Sequence, residues 1–190
     1  DDRGLVLPPH LAQTQVSIVP IFKTANRAQV IEYASRLAGA LPREIRAEID
    51  TDDNNSPGWK FTEYEMRGVP VRVEAGPRDM ESGKVVLVRR DTGEKEPVAV
   101  GEAPGRIAAL LEEIQAGLFE RATQFRADNT QQIDSYDDLV AFFADGGGFA
   151  VAPWSGSSEI EAKIKDATKA TIRVLPFDGD EQIAGKKGIG

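Results

Sequence analysis

Hydrophobic and polar positions change period several times along the chain, and each change marks an element. Val69, Val71, Val73 and Ala75 alternate with Pro70, Arg72 and Glu74, the period-two pattern of a strand with one face in water. Val85 to Val88 are consecutive apolar β-formers, which predicts a strand covered on both sides. Arg89 to Lys95 then returns the chain through Gly93 as a hairpin. Upstream, Val16 to Ile21 and Ile45 to Ile49 read as strands. Between them Asn26 is placed to cap a helix whose Val30, Ala34, Leu37 and Leu41 recur at helical spacing. Ser56-Pro57 opens a short helix in which Lys60, Glu63 and Arg67 share one face, with Phe61 and Tyr64 opposite; that face reads as a solvated charged face, the other reading being the flank of a ligand groove beside the basic sheet. Gly76-Pro77-Arg78-Asp79 reads as a tight turn. The order strand, helix, strand, helix, strand, hairpin predicts an α/β fold: a mixed, mostly parallel sheet flanked by helices.

Pro104-Gly105 opens the clearest helix, with Ile107, Leu110, Leu111, Ile114, Leu118 and Phe125 on one apolar stripe. Asn129-Thr130-Gln131-Gln132 is the expected internal boundary. Beyond it, Ser135 and Asp138 form a capping box before Leu139, Val140, Phe142 and Phe143, and Gly146 to Gly148 stop that helix. Phe149 to Trp154 reads as a strand, Ser158 with Glu161 as a helix cap, and Ala170 to Phe177 as another strand. These elements predict a second, smaller α/β unit, followed by a polar, glycine-rich stretch from Asp178 that is expected to fray. At the other end, Gly4 to Leu7 reads as an apolar strand stub broken by Pro8-Pro9.

Composition narrows the chemistry. No apolar run approaches the length of a membrane span, and a cytoplasmic protein is the expectation. There is no cysteine and a single histidine, His10, which argues against disulfides, thiolate metal sites and histidine-based triads. The net charge of −8 argues against a generic polyanion binder. The charge is uneven, however. Between residues 67 and 90, six basic side chains (Arg67, Arg72, Arg78, Lys84, Arg89, Arg90) face three acidic ones (Glu74, Asp79, Glu81). A local patch of this kind suits base-reading contact better than phosphate tracking. An arginine fork can take guanine O6 and N7, and a carboxylate can accept from the Watson–Crick N–H groups of an unstacked guanine. Arg78 and Glu74 are therefore candidates. The glycine triplet lacks the lysine and the strand-to-helix order of a phosphate loop, and no pair of carboxylates is singled out for acid/base work. The residues alone point to a binding domain, with a small-ligand α/β domain as the other reading.

Asp1 to Pro9, Val16-Ser17-Ile18-Val19-Pro20-Ile21, Pro57-Gly58-Trp59-Lys60-Phe61, Gly76-Pro77-Arg78-Asp79 and Val86-Leu87-Val88-Arg89-Arg90 together resemble the C-terminal part of class II prolyl-tRNA synthetases of the archaeal and eukaryotic type. Pro153-Trp154-Ser155-Gly156 and Ile172 to Phe177 are similar to that family's last domain. The resemblance implies a remnant leading out of a catalytic core over residues 1–11, an anticodon-binding domain over 12–128 and a family-specific C-terminal domain over 129–190. It implies tRNA(Pro) as partner, read through Glu74, Arg78, Lys84 and Arg89. ATP, magnesium and the homodimer contacts belong to the parent's catalytic part, so this chain alone is not expected to aminoacylate. The family's final domain often binds zinc through cysteines. Here Ser155 and Ile160 stand at two of those positions, so no zinc is expected and the chain is read as ending short of the family's terminal tyrosine. A stand-alone synthetase-like accessory protein, binding RNA or protein without catalysis, is the alternative.

Overall fold

The structure, a computed structural model, describes residues 4–175; Pro176, Phe177 and the polar tail from Asp178 lie outside them. The chain divides into two compact units, 1–120 and 121–190. Among the described residues no helix is long and apolar enough to cross a membrane.

The first unit is a five-stranded mixed sheet in the order β2-β1-β3-β4-β5. Its strands are β1 (Val16–Pro20), β2 (Ala47–Ile49), β3 (Val71–Ala75), β4 (Lys84–Arg89) and β5 (Lys95–Ala99). β1 pairs in parallel with β2 and β3, whereas β3–β4 and β4–β5 are antiparallel. The pairings are thus evenly divided. The parallel half needs crossover helices, α1 (Arg27–Ala40) and α2 (Pro57–Arg67), while in the antiparallel half β3 reaches β4 through a short connection and β4 turns directly into β5 through Gly93 at φ +76°.

One sheet face carries the core. Val16, Ile18, Val71, Val73, Val85, Leu87 and Val98 pack with Ala34 and Leu37 of α1. Ile107, Leu110, Leu111 and Ile114 of α4 (Ala103–Asp128) join the same cluster. The other face holds a smaller cluster, Val19, Tyr64, Val69 and Phe61, beneath α2.

Several local expectations change against the coordinates. β3 has no wet face: all five of its residues are buried, because Arg72 and Glu74 pair with each other instead of with water. Lys60 is not on a solvated face either. It is 3% exposed, bound to Asp50 at 2.8 Å and to the carbonyls of Asp50 and Asp52, so it pins the loop ahead of α2. Gly76 to Asp79 is not an isolated turn but the start of a short helix, α3 (Pro77–Glu81), with Asp79 Oδ2 accepting from Gly76 N–H at 2.9 Å. The Asn26 side chain caps no α1 donor; its Oδ1 accepts from Lys23 N–H across a 3-10 turn, Thr24–Asn26. Ile45 to Ile49 is strand only over β2.

Gly4 to Pro8 forms no strand. The segment lies along the end of α2, where Leu5 N–H donates to the Met66 carbonyl at 3.2 Å. Two glycines permit this contact. Gly4 (φ +92°) has room for no Cβ, which would meet Met66 Cα at 2.6 Å, and Gly68 (φ +73°), the C-cap of α2, would meet Leu5 at 2.7 Å.

In the second unit, residues 130–132 are strand β6 (Thr130–Gln132), paired in parallel with β7 (Phe149–Val151), where a boundary was expected. Ser135 caps α5 (Tyr136–Ala144) by accepting from Asp138 N–H, and Ser157, one residue before the expected Ser158, caps α6 (Ser158–Thr168). Ile133 and Leu139 form its core with Tyr136, Phe142, Phe143, Ala150, Ala152 and Ile164. Residues 152–154 are not part of β7, and residues 170–175 are not strand.

The α4 stripe also ends early: Leu110 is 1% exposed but Phe125 is 62% exposed. Leu110→Ala is expected to cost about 2–5 kcal/mol by deleting packed core atoms, and Phe125→Ala within about 0.5 kcal/mol. Urea unfolding followed by fluorescence and circular dichroism measures both.

Candidate nucleic-acid interface

The register of β3, β4 and β5 decides which side chains meet. Glu74 lies opposite Val86, Arg72 opposite Val88, and those two valines face Pro97 and Lys95. Because neighbours in register share a side, Arg72, Glu74, Lys84, Val86, Lys95, Pro97 and Ala99 lie on one face, away from the main core. α2 covers that face only over β1 and β3. Over the hairpin, Lys84, Lys95, Pro97 and Ala99 are exposed and Val86 is half-buried. The result is a small open platform with a carboxylate at its inner edge.

That carboxylate is closely held. Arg72 Nε and Nη2 donate to Glu74 Oε1 at 3.2 and 3.0 Å, and Lys95 Nζ reaches Oε1 at 3.1 and Oε2 at 3.3 Å. Arg72 Nη1 binds Glu65 at 2.7 Å, and its guanidinium lies 4.2 Å from the centre of the Phe61 ring. Glu74 keeps 12% of its side-chain surface, and Lys95, on the platform, keeps 55%. The site is therefore neither sealed nor freely open: its outer closure is one exposed ammonium.

The four residues singled out by sequence do not all converge. Glu74 and Lys84 share the platform face. Arg78 is exposed on α3, and its side chain has no partner among the described residues. Arg89 lies on the opposite face, because it is odd in the register where Lys84 and Val86 are even. There it binds Asp91 through two bonds of 3.0 Å and Glu113 at 3.6 Å. Arg106 joins the same network, donating to Glu96 at 2.9 Å and Glu113 at 2.6 Å. Arg89, Glu96 and Arg106 of this network line a cleft of about 330 Å³ between the hairpin and α4, together with Leu87, Glu94, Lys95 and Leu110. Its charges are spent on one another, so it works as a clamp holding the hairpin down. Arg72 and Lys95, which hold Glu74, are the residues of this face that sequence reasoning did not single out. The i, i+2 spacing of Arg72 and Glu74 could have exposed the first, but Lys95 is found only once the hairpin register is known.

Neighbouring groups shift several protonation equilibria. The hydrogen bond from Arg106, with its charge and that of Arg89, holds the Glu113 carboxyl below its ordinary range against a smaller desolvation effect. Burial, then the nearby Glu48 and Asp50 carboxylates, pushes the Tyr64 phenol up.

A family model described as an anticodon binding domain matches residues 15–110, the whole sheet and the first turns of α4. The chain belongs to this family. A second model, prolyl-tRNA synthetase, C-terminal, matches residues 136–189. Among curated relatives, the proline–tRNA ligase of Rubrobacter xylanophilus is 50% identical over 99% of this chain and 40% of its own length. That of Chloroherpeton thalassium is 50% identical over 100% of this chain and 39% of its own. The chain spans about two fifths of the length of these relatives and corresponds to their C-terminal part. The anticodon-binding domain inferred from the quoted motifs is thereby established, together with a prolyl-tRNA synthetase C-terminal domain.

Cysteine is absent from the whole chain, and the described residues contain no metal-holding group of His, Cys, Asp or Glu. Ser155 Oγ instead accepts from Ser157 N–H in the loop before α6, and aromatic and aliphatic packing fills the second unit's core.

Two measurements follow. Excess EDTA is expected to leave the unfolding curve of the purified chain unchanged. For the clamp, the folded Glu113 value lies below the ordinary carboxylate value of about 4.3, so its contribution is complete above that pH and is lost as pH falls through the folded value. Glu113→Gln should remove this part of the acid limb in urea midpoints collected from about pH 6 down to about pH 2.

Proposed function

We propose that this chain is the anticodon-reading part of a proline–tRNA ligase, and that the open sheet face over the β4–β5 hairpin, with Glu74 at its inner edge, is where the anticodon of tRNA(Pro) is held. The single observation that carries the reading is a buried, cation-oriented carboxylate at the rim of an exposed apolar and basic surface, within a domain of the anticodon-binding family. Such a surface offers an unstacked base a flat apolar floor of Val86, Pro97 and Ala99, an acceptor for Watson–Crick N–H groups, and ammonium groups for the flanking phosphates. Lys84 lies two residues along β4 from the residue facing Glu74, about 7–8 Å away diagonally, which suits a phosphate or base oxygen next to the read base. Arg78 can reach the same nucleic acid from α3. Arg89 acts indirectly, by keeping the hairpin against α4.

Under this reading, the ATP- and magnesium-dependent attachment of proline, and the pairing of two protomers, belong to the part of the relatives that this chain does not match. The working location is the cytoplasm, where translation consumes charged tRNA.

The test is binding of a proline anticodon stem-loop and of the same stem-loop with its guanines replaced, measured by fluorescence anisotropy at fixed salt. The proline sequence should bind at least tenfold more tightly, as the loss of one or two base contacts at about 1–3 kcal/mol each predicts. Equal affinities overturn the reading. Lys84→Ala should weaken both stem-loops alike and lower the salt slope by about one, the behaviour of a phosphate contact.

A further inference from the structure

We propose that Arg72 is the positioning residue that sets base specificity on this face: it anchors the Glu74 carboxylate through the inner side of Oε1, so that Oε2 and the side of Oε1 that Lys95 covers are left for a base edge with two adjacent N–H donors. The inference deepens the anticodon reading proposed above and rests on it.

The geometry of Arg72 is over-determined. Its side chain is 8% exposed, two of its nitrogens grip Glu74 Oε1, a third binds Glu65, and its plane lies on Phe61. A rigid fork held at three points fixes its partner far better than a lysine could. All of the Arg72 bonds to Glu74 fall on Oε1. Among the described residues Oε2 has only Lys95 Nζ, at 3.3 Å, from a side chain more than half exposed.

The inner and outer contacts therefore differ in kind. Arg72 cannot leave without emptying a packed position, whereas the Lys95 ammonium, on a side chain more than half exposed, can swing into water. Displacing Lys95 uncovers Oε2 and the outer lone pair of Oε1 side by side. A carboxylate only accepts, so a base edge must supply donors. Guanine offers N1–H and N2–H together, whereas adenine presents an acceptor at N1. Inosine keeps N1–H but lacks the amino group, so it isolates the second contact.

The experiment compares proline stem-loops carrying guanine or inosine at each guanine of the anticodon in turn, with the 190-residue chain at fixed salt. The unmodified chain should prefer guanine by roughly tenfold at one of these positions, the worth of one hydrogen bond to a charged group. Arg72→Met should reduce that preference to within about twofold, and Arg72→Lys should restore part of it, because charge returns without the fork. Thermal unfolding establishes that the variants are folded. Should Arg72→Met fail to fold, Phe61→Leu removes the plane beneath the guanidinium but keeps every charge, and should lower the preference severalfold. A preference that survives in the folded variants overturns the role given to Arg72 alone. Indifference of the unmodified chain to the guanine-to-inosine change overturns the anticodon reading itself, and the role of Arg72 with it.

Discussion

A guanidinium and a carboxylate on the central strand β3 organise the exposed side of this sheet. β3 lies between β1 and β4 and is buried on both faces, so charged residues there must find partners within the protein. Arg72 and Glu74, two residues apart on the same side, supply each other. Their alternation with Val71, Val73 and Ala75 puts the charges on the side away from α1 and α4 and the apolar groups into the core. One strand thus builds the hydrophobic centre with one set of side chains and the polar edge of the platform with the other. Removing either member strips the other of its buried partner and leaves it only a more exposed one, Lys95 for Glu74 and Glu65 for Arg72.

The hairpin extends that edge into a surface. β4 and β5 continue the sheet beyond the reach of α2, so their outward residues stay open while their inward residues join the core. Something must hold an uncovered two-stranded extension flat. Arg89, Asp91, Glu96, Arg106 and Glu113 do this from below, where the hairpin crosses α4. The same basic residues that look alike along the sequence thereby divide into two jobs. Lys84 and Lys95 face outward, and Arg89 faces the helix.

Much of this was legible in the sequence, and the failures have physical causes. Helical spacing located Val30, Ala34 and Leu37 in α1 and Ile107, Leu110 and Leu111 in α4, all of which are buried, because a covered helix face leaves a direct imprint on residue choice. The hairpin turn at Gly93 was equally plain. What period alone cannot convey is pairing. Alternating charges in β3 look wet because polarity usually signals solvent, yet Arg72 and Glu74 are buried against each other and Lys60 against Asp50, pairings that period does not reveal. Arg89 was grouped with Lys84 by charge, while an odd separation along a strand sends the two to opposite faces. The Phe125 position continues the apolar stripe, but the stripe outlasts the burial. The family resemblance was carried by short motifs that survive in order, including Gly76-Pro77-Arg78-Asp79, which proved to be a capped helix start.

The glycine seam between Gly4 and the end of α2 has a mechanical side. Gly4 and Gly68 let two backbones approach where side chains would collide, and only Val69 and Pro70 separate Gly68 from the first residue of β3. The Gly4–Leu5 backbone is therefore stitched to the helix end that delivers β3. A side chain at either glycine would part the two backbones and loosen the start of the strand that bears Arg72 and Glu74.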